Sequence, residues 1–266
     1  GLTGPVLADR LVVPLGHAGL LLLSAALLAA SAFAAWQVQR WRDAHPTTPG
    51  EIEQRARPLG GNPFAGAIEV FRSPYLLGIG VFVLLLASVT TFLYLRQAEL
   101  VAMMFPDETR QTQVFARIDF VVQVLALLSQ LFITGRIAQK LGVGVLLVAV
   151  PLAMTAGFLW LALAPTFAVF VVVMVVRRAG EYAFVRPGRE MLYTVVAPEA
   201  KYKAKNFNDT VVYRGADAVS AWVKAGIDML AQHPMIAMLI GSAIALVWAF
   251  TGGALARAHR RIAGDT

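Results

Sequence analysis

Long apolar runs are the feature that most limits what this chain can fold into. One extends from about residue 17 to residue 36 and consists almost entirely of Leu and Ala, and others of similar length follow it. A helix needs about 20 residues to cross the roughly 30 Å hydrocarbon core of a bilayer. Strands of membrane barrels are only about 10 residues long and alternate in polarity. The runs are apolar on every face, so they predict membrane-spanning helices.

The composition agrees with this interpretation. Hydrophobic residues make up 58% of the chain and charged residues 15%, whereas soluble domains have about 45–50% and about 25%. We predict an all-α, polytopic membrane bundle of about six or seven transmembrane helices. The predicted spans lie at about 17–36, 74–95, 114–134, 143–164, 166–185, 207–231 and 235–256.

Lys and Arg alternate between rich and poor loops along the chain. The loops at 37–73 and 186–206 and the tail after residue 256 are rich, as is a very short loop at 135–142, whereas the loops near Pro165 and Pro234 have none. Cytoplasmic loops collect basic residues, so the long loop and the carboxyl terminus are predicted to be cytoplasmic, in a cell inner membrane. This topology also explains the net charge of +7, and we expect no nucleic-acid partner.

Several kinds of chemistry lack their residues here. The chain has no cysteine, and its four histidines, at positions 17, 45, 233 and 259, form no recognisable ligand set. Neither a G-x-x-x-x-G-K-[ST] phosphate loop nor an H-E-x-x-H metal motif is present. We therefore expect no metal, no cofactor, no catalytic residues and no enzymatic activity.

The layout of the spans suggests half of a larger bundle. The first residues, GLTGPVLADRLVVPLG, have no basic region before an apolar core, so we expect no secretory signal and further sequence upstream. We divide the chain into 1–36 (part of a fifth helix and a sixth helix), a cytoplasmic loop at 37–73 that is rich in proline, and a six-helix bundle with its tail at 74–266. Twelve-helix transporters have two such halves joined by a central loop.

Charges inside a span cost about 2.5–3.5 kcal/mol each, so they usually face a cavity or one another. Arg177 and Glu181 are four residues apart and Arg178 and Glu181 three, so either pair can form along a helix. The alternatives for this group are a gate salt bridge and a topology anchor, with Pro187 stopping or kinking the helix. In the third span, Arg117 and Asp119 are candidates for a gate or salt bridge. The candidates for substrate binding there are Gln123 and Gln130, seven residues apart on one face, and helix packing is the alternative for all four.

The stretch from Asn206 to Asp217 is the most informative. Asn206, Tyr213 and Asp217 are spaced to share one helical face, and Arg214 lies three residues before Asp217. Either the two charges form a self-neutralising pair that fixes packing, or Arg214 is released to a substrate anion. The candidates for substrate binding here are Asn206, Tyr213, Arg214, Asp217 and, further along, Lys224. Lys224 has Asp228 four residues away and can also snorkel to the surface.

Two segments resemble the bacterial and plastid ATP/ADP translocase family and its relatives within the major facilitator superfamily. They are RPGREML at 186–192 and KYKAKNFNDTVVYRGAD at 201–217, and the stretches at 73–101 and GLTGP at the start are also similar. The resemblance implies a twelve-helix exchanger or symporter with a central cavity of alternating access. By position, Arg214, Asp217 and Lys224 match that family's charged eleventh helix, and the cavity contacts of the amino-terminal half are missing.

Two classes of function remain open. The first is a secondary active transporter of an organic anion, with a nucleotide as one candidate, driven by exchange or proton coupling. The second is a transporter-like membrane scaffold or sensor without transport. Charges that face a cavity favour the first, and charges that are all paired against neighbouring helices favour the second. The expected partners are membrane lipid, a small anionic solute and the amino-terminal half.

Overall fold

The structure, a computed structural model, describes residues 2–45, 65–230 and 234–264. These ranges are helical almost throughout and contain no strand, which confirms the all-α prediction. The long helices are interrupted by short π-helical or 3₁₀ segments, described below. The helices are α1 (Thr3–Ala44), α2 (Ala65–Arg72), α3 (Pro74–Met104), α4 (Glu108–Ser129), α5 (Gly135–Leu163), α6 (Phe167–Gly180), α7 (Arg186–Leu192), α8 (Pro198–Phe207), α9 (Tyr213–Leu230) and α10 (Pro234–Gly264).

Four helical stretches of the described residues are long and apolar enough to cross a membrane. They are Thr3–Ala44, Pro74–Met104, Glu108–Leu163 and Met235–Gly264. The third stretch contains two of the predicted spans. A helical bundle able to enter a membrane is therefore supported, while the number of six or seven spans stays a prediction.

Two glycines break the helices α1 and α5. Gly16 has φ +65° and Gly142 has φ +75°, and no other described residue has a positive φ. L-residues with a side chain rarely adopt this left-handed region, whereas glycine enters it without a steric penalty. The break at Gly142 lies immediately before the span predicted to begin at residue 143. The short loop expected at 135–142 is itself helical up to that glycine.

The expected loop at 37–73 is also partly helical. α1 continues to Ala44, and α2 occupies Ala65–Arg72. The amphipathic α2 seats Gly66 against the backbone of Lys203, where a Cβ would lie 2.5 Å from its carbonyl oxygen. The part of the predicted loop at 46–64 lies outside the described residues.

Contacts between helices give their relative directions. On α5 and α10, Gly144 faces Ala256 while Phe158 faces Gly241, so these two helices run antiparallel. In the same way, Gly157 lies against Val173 on α6, and Val150 lies against Gly180. α5 and α6 are therefore antiparallel as well.

Polar contacts give the directions of the other long helices. α3 and α9 run the same way, because Ser88 meets Ser220 near their middle and Glu99 meets Lys224 further along both. Gly78 of α3 contacts Leu255 of α10, and the tilted rings of Phe82 and Trp248 lie 5.5 Å apart between centroids, so these two helices are antiparallel. α4 and α6 run the same way, because Asp119 meets Arg178 and, just beyond both helices, Thr134 meets Ala183. The six long helices from α3 onward, which are α3, α4, α5, α6, α9 and α10, therefore alternate in direction.

Three of the helical stretches contain a five-residue π-helical segment. These segments are Gln130–Thr134, Glu181–Val185 and Asn208–Val212. A π turn inserts one residue into the helix and is frequent at functional sites. One of them bears on the prediction that Pro187 stops or kinks the helix, and of these two alternatives the stop is wrong. The backbone N–H of Arg186 bonds Glu181 five residues back, and the changed bonding lets the chain continue through Pro187 into α7.

Candidate functional site

Two adjacent threonines of α3 join the polar residues of α6 and α9. The Thr90 hydroxyl accepts a hydrogen bond from Nη1 of Arg177 at 2.9 Å. The Thr91 hydroxyl donates to Oδ1 of Asp217 at 2.8 Å. We call the set of residues around these bonds the central polar cluster, and it comprises Thr90, Thr91, Arg177, Glu181, Arg186, Tyr213, Arg214 and Asp217.

The α6 side of this cluster is closed, by which we mean that Arg177 and Glu181 are buried and paired with each other. Arg177 donates to Oε2 of Glu181 at 3.1 Å, and the side chains are 5% and 10% exposed. Arg186 approaches the other oxygen of Glu181 at 3.5 Å and lies over the Tyr182 ring at 4.2 Å. The predicted Arg177–Glu181 pair is therefore confirmed as a contact, and it is a buried one.

The alternative pair of Arg178 with Glu181 is wrong. Successive residues of a helix point about 100° apart, so Arg178 faces α4 when Arg177 faces α3. Arg178 donates instead to Asp119 of α4. Arg117, which the sequence placed beside Asp119, pairs with Asp9 of α1 at 3.1 Å. The two charges of the third span thus hold different neighbours.

The α9 side of the cluster is open. Nη1 of Arg214 lies 3.8 Å from Oδ2 of Asp217, and the side chains are 80% and 29% exposed. At this distance the two groups form an ion pair without a hydrogen bond between them. Tyr213 is half-buried and lies near Glu181, Asp217 and Arg177. Arg214 is thus the cationic group of the cluster with most of its surface free.

Asn206 does not share the face of Tyr213 and Asp217. Its side chain is exposed and accepts a hydrogen bond from Thr210 at 3.3 Å. The π-helical segment Asn208–Val212 inserts a residue between Asn206 and Tyr213 and so shifts the register on which the prediction depended. Asn208 is the buried amide instead, and it donates to the Tyr193 hydroxyl at 3.0 Å.

Lys224 is buried and does not snorkel. Its ammonium group donates to Oε1 of Glu99 on α3, and Arg96 binds the other oxygen of Glu99 at 3.0 Å. The side chain of Asp228, the partner that the spacing suggested, lies outside the described part of the chain. Glu99 was missed because its partner is 125 residues away in sequence.

The glutamines of the third span have different surroundings. Gln130 donates to the backbone carbonyl of Tyr182 at 2.9 Å, and the nearby Thr134 donates to that of Ala183 at 2.8 Å. Two of the π-helical segments are thereby joined side by side. Gln123 is half-buried and forms no side-chain hydrogen bond with any residue that the structure describes.

A set of contacts that we call the latch joins α7 to α8 and the π-helical segment after it. Arg189 pairs with Asp209 at 3.2 Å, Lys205 with Glu190 at 2.7 Å, and the third contact is the Asn208–Tyr193 hydrogen bond. Burial raises the pKa of Tyr193 to about 12, so its hydroxyl stays neutral near pH 7. The latch connects the two segments, at 186–192 and 201–217, that stand out in the sequence.

No known protein family, no curated protein and no solved structure matches this chain. Among the described residues, no three His, Cys, Asp or Glu side chains are grouped as a metal site would need. A functional assignment therefore rests on the geometry of the central polar cluster.

Proposed function

We propose that the protein is a secondary active transporter that moves an organic anion by alternating access, as the carboxyl-terminal half of a major-facilitator-type fold. The observation that carries this proposal is the open Arg214–Asp217 pair beside the closed Arg177–Glu181 pair. A guanidinium presents a planar array of donors that fits carboxylate or phosphate through two parallel hydrogen bonds. Arg214 has that array available, and an anionic cargo is its natural ligand.

Asp217 has a defined role in this proposal. In the absence of cargo, it offsets the charge of Arg214 at 3.8 Å, and Thr91 holds it in place. A cargo anion would replace Asp217 as the closest partner of the guanidinium. The carboxylate then stays paired with the Thr91 hydroxyl, and it is the group that a coupling proton would neutralise.

Alternating access needs contacts that open and close at the ends of the helices. The latch supplies one ion pair from α7 to α8 and one from α7 to the π-helical segment after α8, and both lie at the end of the bundle predicted to be cytoplasmic. The π-helical segments connect the two sets of residues, because Glu181–Val185 begins with a residue of the central polar cluster and leads into α7, and Asn208–Val212 begins with two residues of the latch and leads into α9. Segments of this kind are common at functional positions in helices, and bending there would open the latch and reshape the cluster together.

The proposal includes six or seven spans with a cytoplasmic carboxyl terminus. Single cysteines at Asp107, Ala197 and Gly264 test it, because the native chain has none. An impermeant thiol reagent added to intact cells should label the Asp107→Cys protein and should reach the other two only after the membrane is permeabilised. Labelling of Ala197→Cys in intact cells would contradict the topology.

Transport itself is tested by uptake. Vesicles with the reconstituted protein should accumulate at least one labelled anion from a panel of nucleotides and small di- and tricarboxylates, and preloading with the same anion or imposing a proton gradient should speed entry. A matched set of organic cations serves as the control. Accumulation of cations alone, with no anion taken up, would reject the anion assignment.

The second candidate function, a scaffold or sensor without transport, also has an observation in its favour. Arg177, Arg178, Arg189 and Lys224 all pair with carboxylates of the described structure, which is what pure packing requires. If correctly inserted protein shows no uptake of any anion, and an Arg214→Gln variant is clearly less stable than the parent, this second function becomes the better description.

A further inference from the structure

A groove of about 1090 Å³ runs between α5 and α10 on the outside of the bundle. Its volume is slightly above the range of about 300–1,000 Å³ that holds drug-sized ligands. The walls carry exposed apolar side chains, among them Leu141, Leu152, Leu246 and Phe250. Small residues form the floor, because Gly144 contacts Ala256 and Gly253 contacts Val148.

One end of the groove is basic. Lys140, Arg257 and Arg260 line it together with Gln139 and His259, and none of its lining residues is acidic. The antiparallel contact of Gly144 with Ala256 explains this, because Lys140 precedes that contact on α5 while the two arginines follow it on α10. All three cations therefore extend past the same end of the helix pair.

These three cations have no partner within the described structure. Lys140, Arg257 and Arg260 are exposed, and none forms an ion pair or a side-chain hydrogen bond with a described residue. His259 differs, because its ring lies 3.3 Å from the Tyr75 hydroxyl. The charge at this end is thus uncompensated by the groove itself.

The length of the apolar part fits one leaflet of a bilayer. From Ala256 to Leu246, about ten residues of α10 rise about 15 Å, which is half of the roughly 30 Å hydrocarbon core. The basic end then lies where the phosphates of that leaflet are. It is also the end predicted to be cytoplasmic, and the cytoplasmic leaflet carries the anionic lipids.

We propose that this groove is a binding site for one anionic phospholipid, whose phosphate is held by Lys140, Arg257 and Arg260 and whose acyl chains lie against the apolar walls. The inference needs α5 and α10 to lie in a membrane, and it holds whether or not the protein transports anything. The basic groups at one end of the groove complement the phosphate of such a lipid, and the apolar walls complement its acyl chains. A soluble anion without acyl chains would contact the basic end alone and would leave the apolar walls of the groove uncovered.

The test uses the full chain in phosphatidylcholine vesicles that contain a small fraction of photoactivatable phosphatidylglycerol. After illumination, the label should map to peptides on both sides of the groove, around Leu141–Leu152 and Leu246–Arg260. A photoactivatable phosphatidylcholine of the same chain length should label these peptides much less. Equal labelling by the two lipids would overturn the proposal.

Two variants with matched controls locate the site. Replacing Lys140, Arg257 and Arg260 together by Gln should lower the binding that phosphatidylglycerol labelling reports by about 100-fold, because each basic group near an anionic surface contributes roughly fivefold. The control replaces Arg72, Arg136 and Arg261, which do not line the groove. Equal loss in the control would mean general surface attraction and would refute a specific site.

The second variant, Ala149→Trp, blocks the groove and leaves the cations intact. Ala149 is exposed and lines the groove, so the indole should displace the acyl chains and reduce labelling strongly. Ala156→Trp, at an exposed position of α5 outside the groove, is the control and should label like the parent. Unchanged labelling in Ala149→Trp, or full competition by glycerol phosphate without acyl chains, would refute the lipid assignment.

Discussion

The two arginine–carboxylate pairs of the central polar cluster have similar residue types and similar spacing in the sequence, but different surroundings. Arg177 on α6 and Glu181 in the π-helical segment directly after it are four residues apart, and Arg214 and Asp217 on α9 are three apart. Each pair is held by one of two adjacent threonines of α3. Yet the first pair is 5% and 10% exposed, and the second is 80% and 29% exposed.

This difference in exposure distinguishes a pair that stabilises the packing of helices from a pair that is available for binding. A buried ion pair costs desolvation on both sides, and removing one partner leaves an uncompensated charge. An exposed pair costs little to form and little to break. We therefore expect changes in the α6 pair to destabilise the bundle, and changes in the α9 pair to alter function while the bundle stays intact.

The largest expected effect follows from Glu181→Gln. This variant leaves Arg177 buried beside a neutral amide and also removes the partner of Arg186. We expect a loss of about 3–5 kcal/mol of stability, seen as a large fall in the temperature at which the detergent-solubilised protein loses its monodisperse peak. The double change Arg177→Gln with Glu181→Gln should lose less than the sum of the single changes. A Glu181→Gln protein as stable as the parent would contradict the burial and mutual pairing of Arg177 and Glu181.

The adjacent threonines give a sharper test of the same contrast. Thr90→Val removes an acceptor from Arg177, whose Nε already lacks a partner in the described structure, and should cost about 1.5–3 kcal/mol because a charged group is involved. Thr91→Val removes a donor from the partly exposed Asp217 and should cost about 0.5–1.5 kcal/mol. Thermal unfolding of both variants measures the difference. Equal losses would remove the distinction between the two sides.

Glycine substitutions extend the comparison to the helices around each pair. A Cβ on Gly252, in the packed α10, would lie 2.8 Å from the carbonyl oxygen of Leu147, whereas one on Gly215, beside Arg214, would meet nothing within 4 Å. Gly252→Ala should therefore destabilise the protein by about 1–3 kcal/mol. Gly215→Ala should stabilise it by about 0.5–1 kcal/mol, because alanine is the better helix former. Destabilisation by Gly215→Ala would indicate that α9 is covered there.

The smallest effect on stability is expected for Arg214→Lys. The side chain is exposed, and surface changes away from special features usually stay within about 0.5 kcal/mol. Arg110→Lys, at another exposed arginine, is the matched control in the same unfolding measurement. A loss comparable to that of Thr90→Val would assign Arg214 to packing.

The sequence predicts contacts within a helix better than contacts between helices. The Arg177–Glu181 contact follows from four-residue spacing alone, since neighbours on a helix face are fixed by its geometry. The partners of Lys224 and Arg178 depend on how helices are rotated against each other, and spacing carries no such information. Residues in one helix predicted to share a face also fail to do so when a π turn intervenes, as with Asn206 and Tyr213.

The same limit applies to the fold. Apolar run length is sufficient to predict an all-α bundle, and the basic loops predict which ends lie together. Gly142 shows what run length misses, because a single residue with positive φ takes the place of an expected loop. The burial of one charge pair and the exposure of the other depend on the packing of three helices, which no short pattern in the sequence encodes.

The most direct measurement compares uptake with stability in the Arg214 series. Arg214→Lys keeps the charge and loses the two-bond geometry, so initial uptake of the anionic cargo at limiting concentration should fall by roughly 10–150-fold, the equivalent of the 1.5–3 kcal/mol of a charge-assisted hydrogen bond. Arg214→Gln should fall further, because Asp217 then lacks its partner too. Both proteins should unfold at the temperature of the parent. Parental uptake by Arg214→Lys at limiting cargo, or a cationic cargo, would contradict the assignment and leave Arg214 as a structural counter-ion.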